Sequence, residues 1–172
     1  MKRIAGFEKV SLTQFAEDWK KTHPEMNDEE IRTIYDSIRL PKRATSGSAG
    51  YDFYAPSDLV IEAGREMLIP TGIRARIEEG YVLMLFPRSS LGFKYRLQLD
   101  NTAGIIDSDY WYADNEGHIM CKLINDSREG KTVSVSAGTA FVQGLFIPFG
   151  ITEDDDAQTK RTGGIGSTTK TI

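Results

Sequence analysis

The sequence predicts an all-β fold with a short helical segment near its N-terminus. From residue 41 onward, short alternating or β-branched runs are separated by glycine, proline and Asp/Asn clusters at close spacing. This texture is typical of β-sandwiches and β-barrels. A chain of 172 residues is long enough to bury one sizeable core and too short for two domains of ordinary size. We therefore expect one β-domain over residues 41–150, preceded by a strand and two helices in residues 1–40.

Capping residues and apolar spacing predict the two helices. After a possible short strand in residues 2–10, Ser11 and Gln14 have the form of a capping box, and a helix should run to about residue 21. Asn27 and Glu30 predict the cap of a second helix, which should end before residue 41. We expect both apolar stripes to pack on the parent domain or a neighbouring subunit. They consist of Leu12, Phe15, Ala16 and Trp19, and of Ile31, Ile34, Tyr35 and Ile38.

Ten strands are predicted in the β-domain. In one of them Ile73, Ala75 and Ile77 alternate with charged residues, so this strand should have one wet face. The predicted strands lie near residues 51–54, 58–61, 66–69, 72–78, 81–86, 97–99, 104–106, 118–125, 131–135 and 140–148.

The last segment, residues 151–172, departs from this pattern. Acidic residues at 153–156 are followed by a stretch rich in Thr, Gly and Ser, from which no packed core can form. Taken alone, this segment is predicted to be a flexible terminus.

Composition excludes several classes of partner. The 21 basic and 25 acidic residues give a net charge of −4, which offers no excess of positive field for nucleic acid, so any phosphate ligand should be small. The longest apolar run, residues 81–86, is too short to cross a bilayer, and no membrane partner is expected. Cys121, the only cysteine, excludes an internal disulfide and suits a reducing compartment. We expect a cytoplasmic protein with this thiol in its core.

Residues 97–112 are the stretch most suggestive of a site. Alternating Leu97 and Leu99, a glycine-containing turn and the apolar pair Ile105 and Ile106 predict two strands joined by a tight hairpin. Asp107 follows directly and Tyr110 lies three residues further. A carboxylate and a ring held rigidly by a sheet predict a pocket.

Two further segments are rich in the groups that hold phosphate. Arg88, Ser89 and Ser90 follow a predicted strand, where a guanidinium, hydroxyls and backbone N–H groups can converge on phosphate oxygens. Residues 163–168 carry glycine and hydroxyl residues of the same kind. Asp52 lies in a predicted strand where it can hold a magnesium-bound water. Gly144, next to Gln143, would let a ligand approach the backbone of its strand.

Histidine chemistry is disfavoured. With only His23 and His118, a multi-histidine metal site cannot be built, and a catalytic metal would rest on carboxylate oxygens, water and the phosphates of the ligand, as Mg²⁺ does. A Ser-His-Asp triad would require His118. That residue follows a polar loop, residues 114–117, where we expect a solvated side chain.

Five segments occur in the order of the five motifs of the homotrimeric dUTP diphosphatases and resemble them. They are residues 49–55, 87–92, 101–110, 138–148 and 163–168. Five ordered motifs carry far more weight than any one of them. The resemblance implies a jelly-roll-like β-barrel, assembled as a homotrimer whose active sites take motifs from all three chains. The segment 151–172 would then be an arm that closes over a neighbouring active site.

The resemblance also implies a reaction. Asp107 would activate the water that attacks the α-phosphorus of dUTP, with Mg²⁺, releasing pyrophosphate and leaving dUMP. This activity keeps uracil out of DNA and supplies dUMP for dTMP synthesis. Tyr110 would pack under the deoxyribose, while Asn101 and the backbone of Gly104 and Ile106 would read the uracil edge. A tight hairpin rejects thymine by sterics and cytosine by unpaired polar groups.

The remaining motif residues resemble the ligands of the phosphate chain. Asp52 would hold a water on the magnesium ion. The phosphate contacts would come from Arg88, Ser89, Ser90 and Gln143 and, in the last motif, from Arg161, Gly164, Ile165, Gly166 and Ser167.

The chain departs from the family pattern in several places. Lys160 stands at the spacing of the usual arginine of the last motif and Arg161 one residue closer, so either can cap the γ-phosphate. Ile165 replaces the usual aromatic ring, and Ala140 stands where arginine is common. Residues 113–117 lengthen the turn after Tyr110. The two helices have no counterpart in the basic pattern.

Two competing functions stay open at this stage. The related dCTP deaminases share the barrel but need a catalytic glutamate near the base, and the acids between residues 101 and 109 are all aspartates. A non-catalytic nucleotide sensor or protein-binding module on the same fold would use the helices as a partner surface.

Overall fold

The protein is described by a computed structural model that covers residues 2–159 and residue 163. The N-terminal part holds β1 (Ala5–Lys9), α1 (Leu12–Thr22), α2 (Asp28–Ser37) and β2 (Lys42–Arg43). The β-domain continues with β3 (Tyr51–Tyr54), β4 (Leu59–Ile61), β5 (Glu66–Pro70), β6 (Ile73–Ile77), β7 (Tyr81–Pro87), α3 (Ser89–Tyr95), β8 (Leu97–Leu99), β9 (Gly104–Ile106), a 3-10 helix (Ser108–Tyr112), β10 (Met120–Asn125), β11 (Val133–Val135) and β12 (Ala140–Pro148).

The strands form antiparallel sheets, and the predicted β-rich class is confirmed. The largest sheet has the order β2-β3-β12-β7-β9, a second has the order β5-β10-β8, and β1-β6 and β4-β11 form two-stranded pairs. Within the described residues, only β2 and β3 are neighbours both along the chain and in a sheet. The chain therefore crosses between sheets at almost every connection, so that residues distant in sequence meet.

The helices share their core with the sheets, as their apolar stripes predict. Phe15, Trp19 and Ile31 are fully buried in one cluster with residues of the β-domain such as Leu83 and Phe141. Contact is closest at Gly72, whose φ is +72° and where a Cβ would lie 2.3 Å from Cδ1 of Ile38. Only glycine fits at this position, because both the backbone conformation and the neighbouring side chain exclude a larger residue.

The two predicted helix caps differ in outcome. At α2 the capping box is complete, since the Asn27 side chain accepts from the Glu30 backbone N–H and the Glu30 side chain accepts from that of Asn27. At α1 the Ser11 hydroxyl accepts from the Gln14 backbone N–H, but the Gln14 side chain donates to Asp18 instead of completing the box. The backbone N–H of Ser11 donates to Glu116, a residue far away in sequence.

The predicted hairpin between Leu97 and Ile106 is wrong. β8 pairs with β10 and β9 pairs with β7, so the two strands belong to different sheets. A single bridge between Leu99 and Thr102 closes the turn before the strands diverge. Alternation identifies strands but carries no information about their partners, and here the partners come from elsewhere in the chain.

Two short helices were not predicted. α3 begins directly after Arg88, and the 3-10 helix begins directly after Asp107. Both are one or two turns long, too short for apolar periodicity to reveal. Each follows a residue that the sequence marks as functional, so these helix starts orient the candidate site.

The described residues bear on two expectations, the place of the cysteine and a membrane span. Cys121 lies in the core as predicted, and burial raises its pKa to about 12. None of the helices in this part of the chain has the length and apolar character needed to cross a bilayer.

Candidate active site

Three predicted site residues meet on the largest sheet. Asp52 of β3 lies opposite Gln143 of β12, which in turn lies opposite Phe86 of β7, one step before the end of that strand. Arg88 follows β7, and its Nη1 lies 2.7 Å from Oδ2 of Asp52. We call Asp52, Arg88 and Gln143 the sheet cluster. Strand register alone brings three motifs together here.

The sheet cluster is polar and accessible. The side chains of Arg88 and Asp52 are 37% and 17% exposed. Screening by solvent weakens such a pair, so its ions can exchange partners with an incoming anion at low cost. Gly50 is required by close approach, because a Cβ there would lie 2.7 Å from the Gln143 side-chain oxygen.

The seryl-rich loop is the first turn of α3. Arg88 occupies the N-cap position with extended backbone but makes no capping hydrogen bond with its side chain. Ser89 and Ser90 follow and are exposed. Hydroxyls and helix-start N–H groups beside a guanidinium suit phosphate oxygens.

Asp107 lies at the far end of β9. Gly104, the first residue of this strand, is buried, and a Cβ there would lie 3.1 Å from the side chain of Leu85 on β7. Asp107 then takes the N-cap position of the 3-10 helix. Ile106 and Asp107 are half-buried, whereas Asn101 in the preceding turn is exposed. The backbone of Asp107 is thus fixed between a paired strand and a helix start.

Tyr110 is fixed by burial of its side chain and by two hydrogen bonds of its hydroxyl group. It lies in the 3-10 helix with only 4% of its surface exposed. Its hydroxyl donates to the carbonyl oxygen of His118 at 2.9 Å and accepts from the amide nitrogen of Asn115 at 2.9 Å. A ring held in this way has little freedom to change rotamer.

The expectation of a solvated His118 is wrong. The residue is fully buried, with its ring in contact with Gly72, with Asp18 and with Phe15 of α1. The Gly72 backbone N–H donates to His118 Nε2 at 2.8 Å, which makes that nitrogen an acceptor and places the ring proton on Nδ1. Nδ1 then donates to Oδ2 of Asp18 at 2.7 Å. The polar residues 114–117 before this histidine led to the wrong expectation, whereas the apolar run that begins at Ile119 is the sequence signal that favours burial.

Asp18 on α1 carries the matching charge. Burial by itself would raise its pKa, but hydrogen bonds from His118, Lys21 and Gln14 outweigh burial and hold the pKa of this carboxyl well below its usual range. The carboxylate is therefore ionised and accepts three hydrogen bonds, at 2.7 Å from His118, 2.7 Å from Lys21 and 2.8 Å from Gln14.

One chain does not bring Asp107 to the sheet cluster. Ile106 lies opposite Leu83 on β7, and the strand pair is antiparallel. Asp107 therefore extends toward one end of β7, while Arg88 follows the other end. Six strand positions separate the two levels along β7, a distance of about 20 Å.

The last motif lies outside the described residues. This applies to Lys160, Arg161, Gly164, Ile165, Gly166 and Ser167.

Among the described residues, Asp52 is the carboxylate of the sheet cluster that a metal ion could approach. The described residues contain no group of three or more His, Cys, Asp or Glu side chains able to hold a metal ion. A single half-buried carboxylate, Asp52, lies beside the guanidinium of Arg88. This arrangement fits a Mg²⁺ ion that arrives on a polyphosphate and contacts the protein through water.

Comparison with known proteins gives a consistent result. Residues 36–169 match the dUTPase family pattern. The deoxyuridine 5'-triphosphate nucleotidohydrolase of Lactococcus lactis is 42% identical over 144 residues, which cover 81% of this chain and 95% of the relative.

Solved structures of dUTPases have a fold similar to that of this chain. The dUTPase from Streptococcus mutans, with 36% identity, covers 86% of this chain and 98% of its own, with a TM-score of 0.64. A mutant dUTPase from phage phi11 of S. aureus, described with a structural Mg(II) ion, has 19% identity and a TM-score of 0.63 over 91% of this chain and 98% of its own. At that identity the likeness concerns the fold.

Proposed function

The chain belongs to the dUTPase family, and we propose that it hydrolyses dUTP to dUMP and pyrophosphate with Asp107 as the base that activates water. The water oxygen forms a bond to the α-phosphorus, and the bond from that phosphorus to the bridging oxygen of the leaving pyrophosphate breaks. The water proton passes to the Asp107 carboxylate. A carboxylate is a weak base, so most of its effect comes from holding the water in line with the leaving group.

The fixed position of Asp107 is the observation that carries this proposal. The residue stands between β9, which is paired along its length with β7, and a 3-10 helix whose Tyr110 is buried. Such placement supports a catalytic group, because a base must be held within a fraction of an ångström of its water.

Tyr110 and the preceding turn fit nucleoside recognition. In this proposal the Tyr110 ring packs under the deoxyribose and leaves no space for a 2′-hydroxyl. Exposed Asn101 and the backbone of Gly104 and Ile106 pair with the uracil edge. A cytosine would leave polar groups unpaired, which costs more than a lost apolar contact.

The sheet cluster fits the phosphate chain. Arg88, Ser89, Ser90 and Gln143 would bind phosphate oxygens, and Asp52 would hold a water of the magnesium ion. When bound, Mg²⁺ neutralises charge on the leaving pyrophosphate. Arg88 would then shift from its ion pair with Asp52 toward the phosphates, a change that the accessibility of both groups allows.

A shared site follows from the separation along β7. Because about 20 Å of strand lies between Asp107 and Arg88, a triphosphate cannot contact both residues of one chain at their present levels. We propose a homotrimer in which Asp107 of one subunit faces the sheet cluster of another.

A mixing experiment tests the shared site. The Asp107→Asn chain should be inactive alone, and the Arg88→Ala chain should have little activity at dUTP concentrations well below its raised KM, which are the concentrations used here. When equal amounts are unfolded together and refolded, about a quarter of the sites should combine an intact Asp107 with an intact Arg88 and recover activity in proportion. No recovery in verified mixed trimers would place both residues in one chain's site and refute the arrangement.

The C-terminal segment is proposed to close this site. Residues 151–172, including Arg161 and Gly164 to Ser167, would act as an arm over a neighbouring site, excluding water and capping the γ-phosphate. A chain ending at Gly150 should then keep its trimer and lose turnover about 100-fold. Full turnover in the shortened chain would remove the arm from the mechanism.

A substrate panel tests the activity itself. Pyrophosphate release is measured with dUTP, dTTP, dCTP and UTP under the same conditions with Mg²⁺. We expect release from dUTP alone at substantial rate. Ammonia release from dCTP would indicate a deaminase, and nucleotide binding without turnover would indicate a sensor.

The lone, buried Cys121 is compatible with the reducing cytoplasm that we propose as the site of this activity.

A further inference from the structure

The two departures from the family pattern contact each other. One is the pair α1 and α2, and the other is the segment of residues 113–118, which we call the return loop. Oε2 and Oε1 of Glu116 accept from the Ser11 backbone N–H and hydroxyl, both at 2.7 Å. Two turns further along α1, the Asp18 carboxylate accepts from His118 Nδ1 at 2.7 Å. Two carboxylates, one from each side, thus join α1 to the return loop.

The return loop also presses on the 3-10 helix that carries Tyr110. The His118 carbonyl and the Asn115 amide both bind the Tyr110 hydroxyl. At Gly117, with φ of +71°, a Cβ would lie 2.7 Å from the Tyr110 carbonyl oxygen. This contact leaves no space for a side chain, so the loop and the 3-10 helix are packed directly against each other and we treat them as one unit.

A third tie fixes the unit to β6. The Arg74 guanidinium lies 3.3 Å from the centre of the Trp111 ring, and its Nη2 donates to the Trp111 carbonyl oxygen at 3.2 Å. Gly72, immediately before β6, donates to the ring of His118. The 3-10 helix is therefore held from β6 on one side and from α1 on the other.

From these contacts we infer that Asp18 is a positioning residue: through His118 it fixes Tyr110 and, three residues earlier, Asp107. The inference rests on the proposed function of these two residues. It assigns the helix pair α1 and α2 a part in turnover and in discrimination between deoxyribose and ribose. The bonds from Ser11 to Glu116 are a second, weaker connection between α1 and the return loop.

The physical reason lies in what the loss of Asp18 leaves behind. The ring of His118 is fully buried, and without Asp18 its Nδ1–H has no acceptor among the contacts described. A buried donor without a partner is unfavourable enough to displace its segment toward water. The carbonyl that anchors Tyr110 belongs to the same residue, so the ring moves with it. A displacement of about 1 Å near a reacting centre is worth about 100-fold in rate.

Variants of two carboxylates, one in α1 and one in α2, separate positioning of Tyr110 from general stabilisation of the fold. Asp18→Ala removes the acceptor of His118. Asp28→Ala is the matched control, because Asp28 forms an exposed ion pair with Lys20 in the same helix pair and does not contact the return loop. Asp18→Asn should keep nearly parental kinetic constants for dUTP and UTP although it is less stable, since its amide oxygen can still accept from His118 while its nitrogen faces exposed Lys21.

The readouts are hydrogen exchange of peptides spanning residues 108–118 and the kinetic constants for dUTP and UTP. For Asp18→Ala we expect faster exchange in that segment with unchanged exchange in β7 and β12, and a fall of about 10- to 100-fold in the ratio of kcat/KM for dUTP to that for UTP. Asp28→Ala should match the parent in both.

A folded Asp18→Ala trimer with parental exchange in residues 108–118 and parental selectivity would overturn the inference. If that variant does not fold, Glu116→Gln takes its place. We then expect a smaller increase of exchange in residues 108–118 and a smaller fall in selectivity, and parental values of both would overturn the inference. Failure of the parent chain to hydrolyse dUTP would instead refute the proposed function, and the exchange measurement would still decide whether α1 holds the 3-10 helix.

Discussion

The sheet cluster and the segment that carries Asp107 and Tyr110 are built in different ways. In the first, antiparallel register places Asp52, Arg88 and Gln143 near one another, and the side chains of Arg88 and Asp52 pair in partial contact with solvent. In the second, a 3-10 helix carries the buried Tyr110, whose hydroxyl bonds the loop of residues 113–118, and this loop is bonded in turn to α1, which precedes the residues that match the family pattern.

This difference indicates a division of labour. A charged, accessible cluster on regular strands can exchange its internal ion pair for a phosphate, which suits binding. A buried segment with fixed side chains keeps its geometry as the substrate changes, which suits chemistry and selection. Substitutions in the two regions should therefore alter different kinetic constants.

The largest effect is expected at Asp107. Asp107→Asn keeps the shape of the side chain and removes the base, so kcat for dUTP should fall by about 1,000-fold or more while nucleotide affinity and the trimer are retained. Single-turnover kinetics and equilibrium binding of dUTP measure the two quantities separately. Asp114→Asn, an exposed carboxylate of the return loop, is the control and should leave kcat unchanged.

At the sheet cluster the loss should fall mainly on binding. Arg88→Ala removes a charge-assisted contact and leaves Asp52 without its cation, which should raise KM for dUTP about 10- to 100-fold. Steady-state kinetics at saturating Mg²⁺ test this, with exposed Arg76→Ala as the control. An unchanged KM with a lower kcat would erase the distinction between the two regions.

Tyr110 should govern selectivity with a smaller effect on rate. Tyr110→Ala opens space for a 2′-hydroxyl, and the preference for dUTP over UTP should fall about 10- to 100-fold. Tyr110→Phe keeps the ring but loses the bonds to His118 and Asn115 that fix it, so the preference should fall, by less than in the Ala variant. Equal kcat/KM ratios for parent and Ala variant would contradict a contact between ring and sugar.

The smallest effect concerns stability against pH. The pKa of Asp18 is lower in the folded than in the unfolded chain. The contribution of its ionised form to the free energy of unfolding is therefore complete above the unfolded pKa of about 3.9 and is lost as pH falls toward the folded pKa. Asp18→Asn should therefore lower the free energy of unfolding by about 1 to 2 kcal/mol near neutral pH. Urea titrations at one protein concentration should show the difference from the parent narrowing below pH 4. A constant difference from pH 7 to pH 3 would show that ionisation of Asp18 is not involved.

The sequence predicts what depends on local pattern and repeated motifs. The ten strands appear within a few residues of their expected places, and the complete capping box at Asn27 is confirmed. The meeting of Asp52, Arg88 and Gln143 agrees with the order of the motifs. These features are set by alternation, by caps and by sheet register.

The features that could not be predicted depend on long-range contacts. The partners of β8 and β9 come from other parts of the chain, and so the expected hairpin is wrong. His118 follows a polar loop in the sequence, yet it is buried and bonded to Asp18 of a helix one hundred residues earlier. No periodicity within either segment reports such a contact, because its energy arises only when both are folded together.

β7 has a consequence for the genetics of the assembly. Its two ends lie about 20 Å apart, and in the proposed trimer each end serves a different catalytic centre. A copy that is damaged at both ends then disables two centres rather than one. Alleles of this kind are expected to act with partial dominance when they are expressed together with the normal chain.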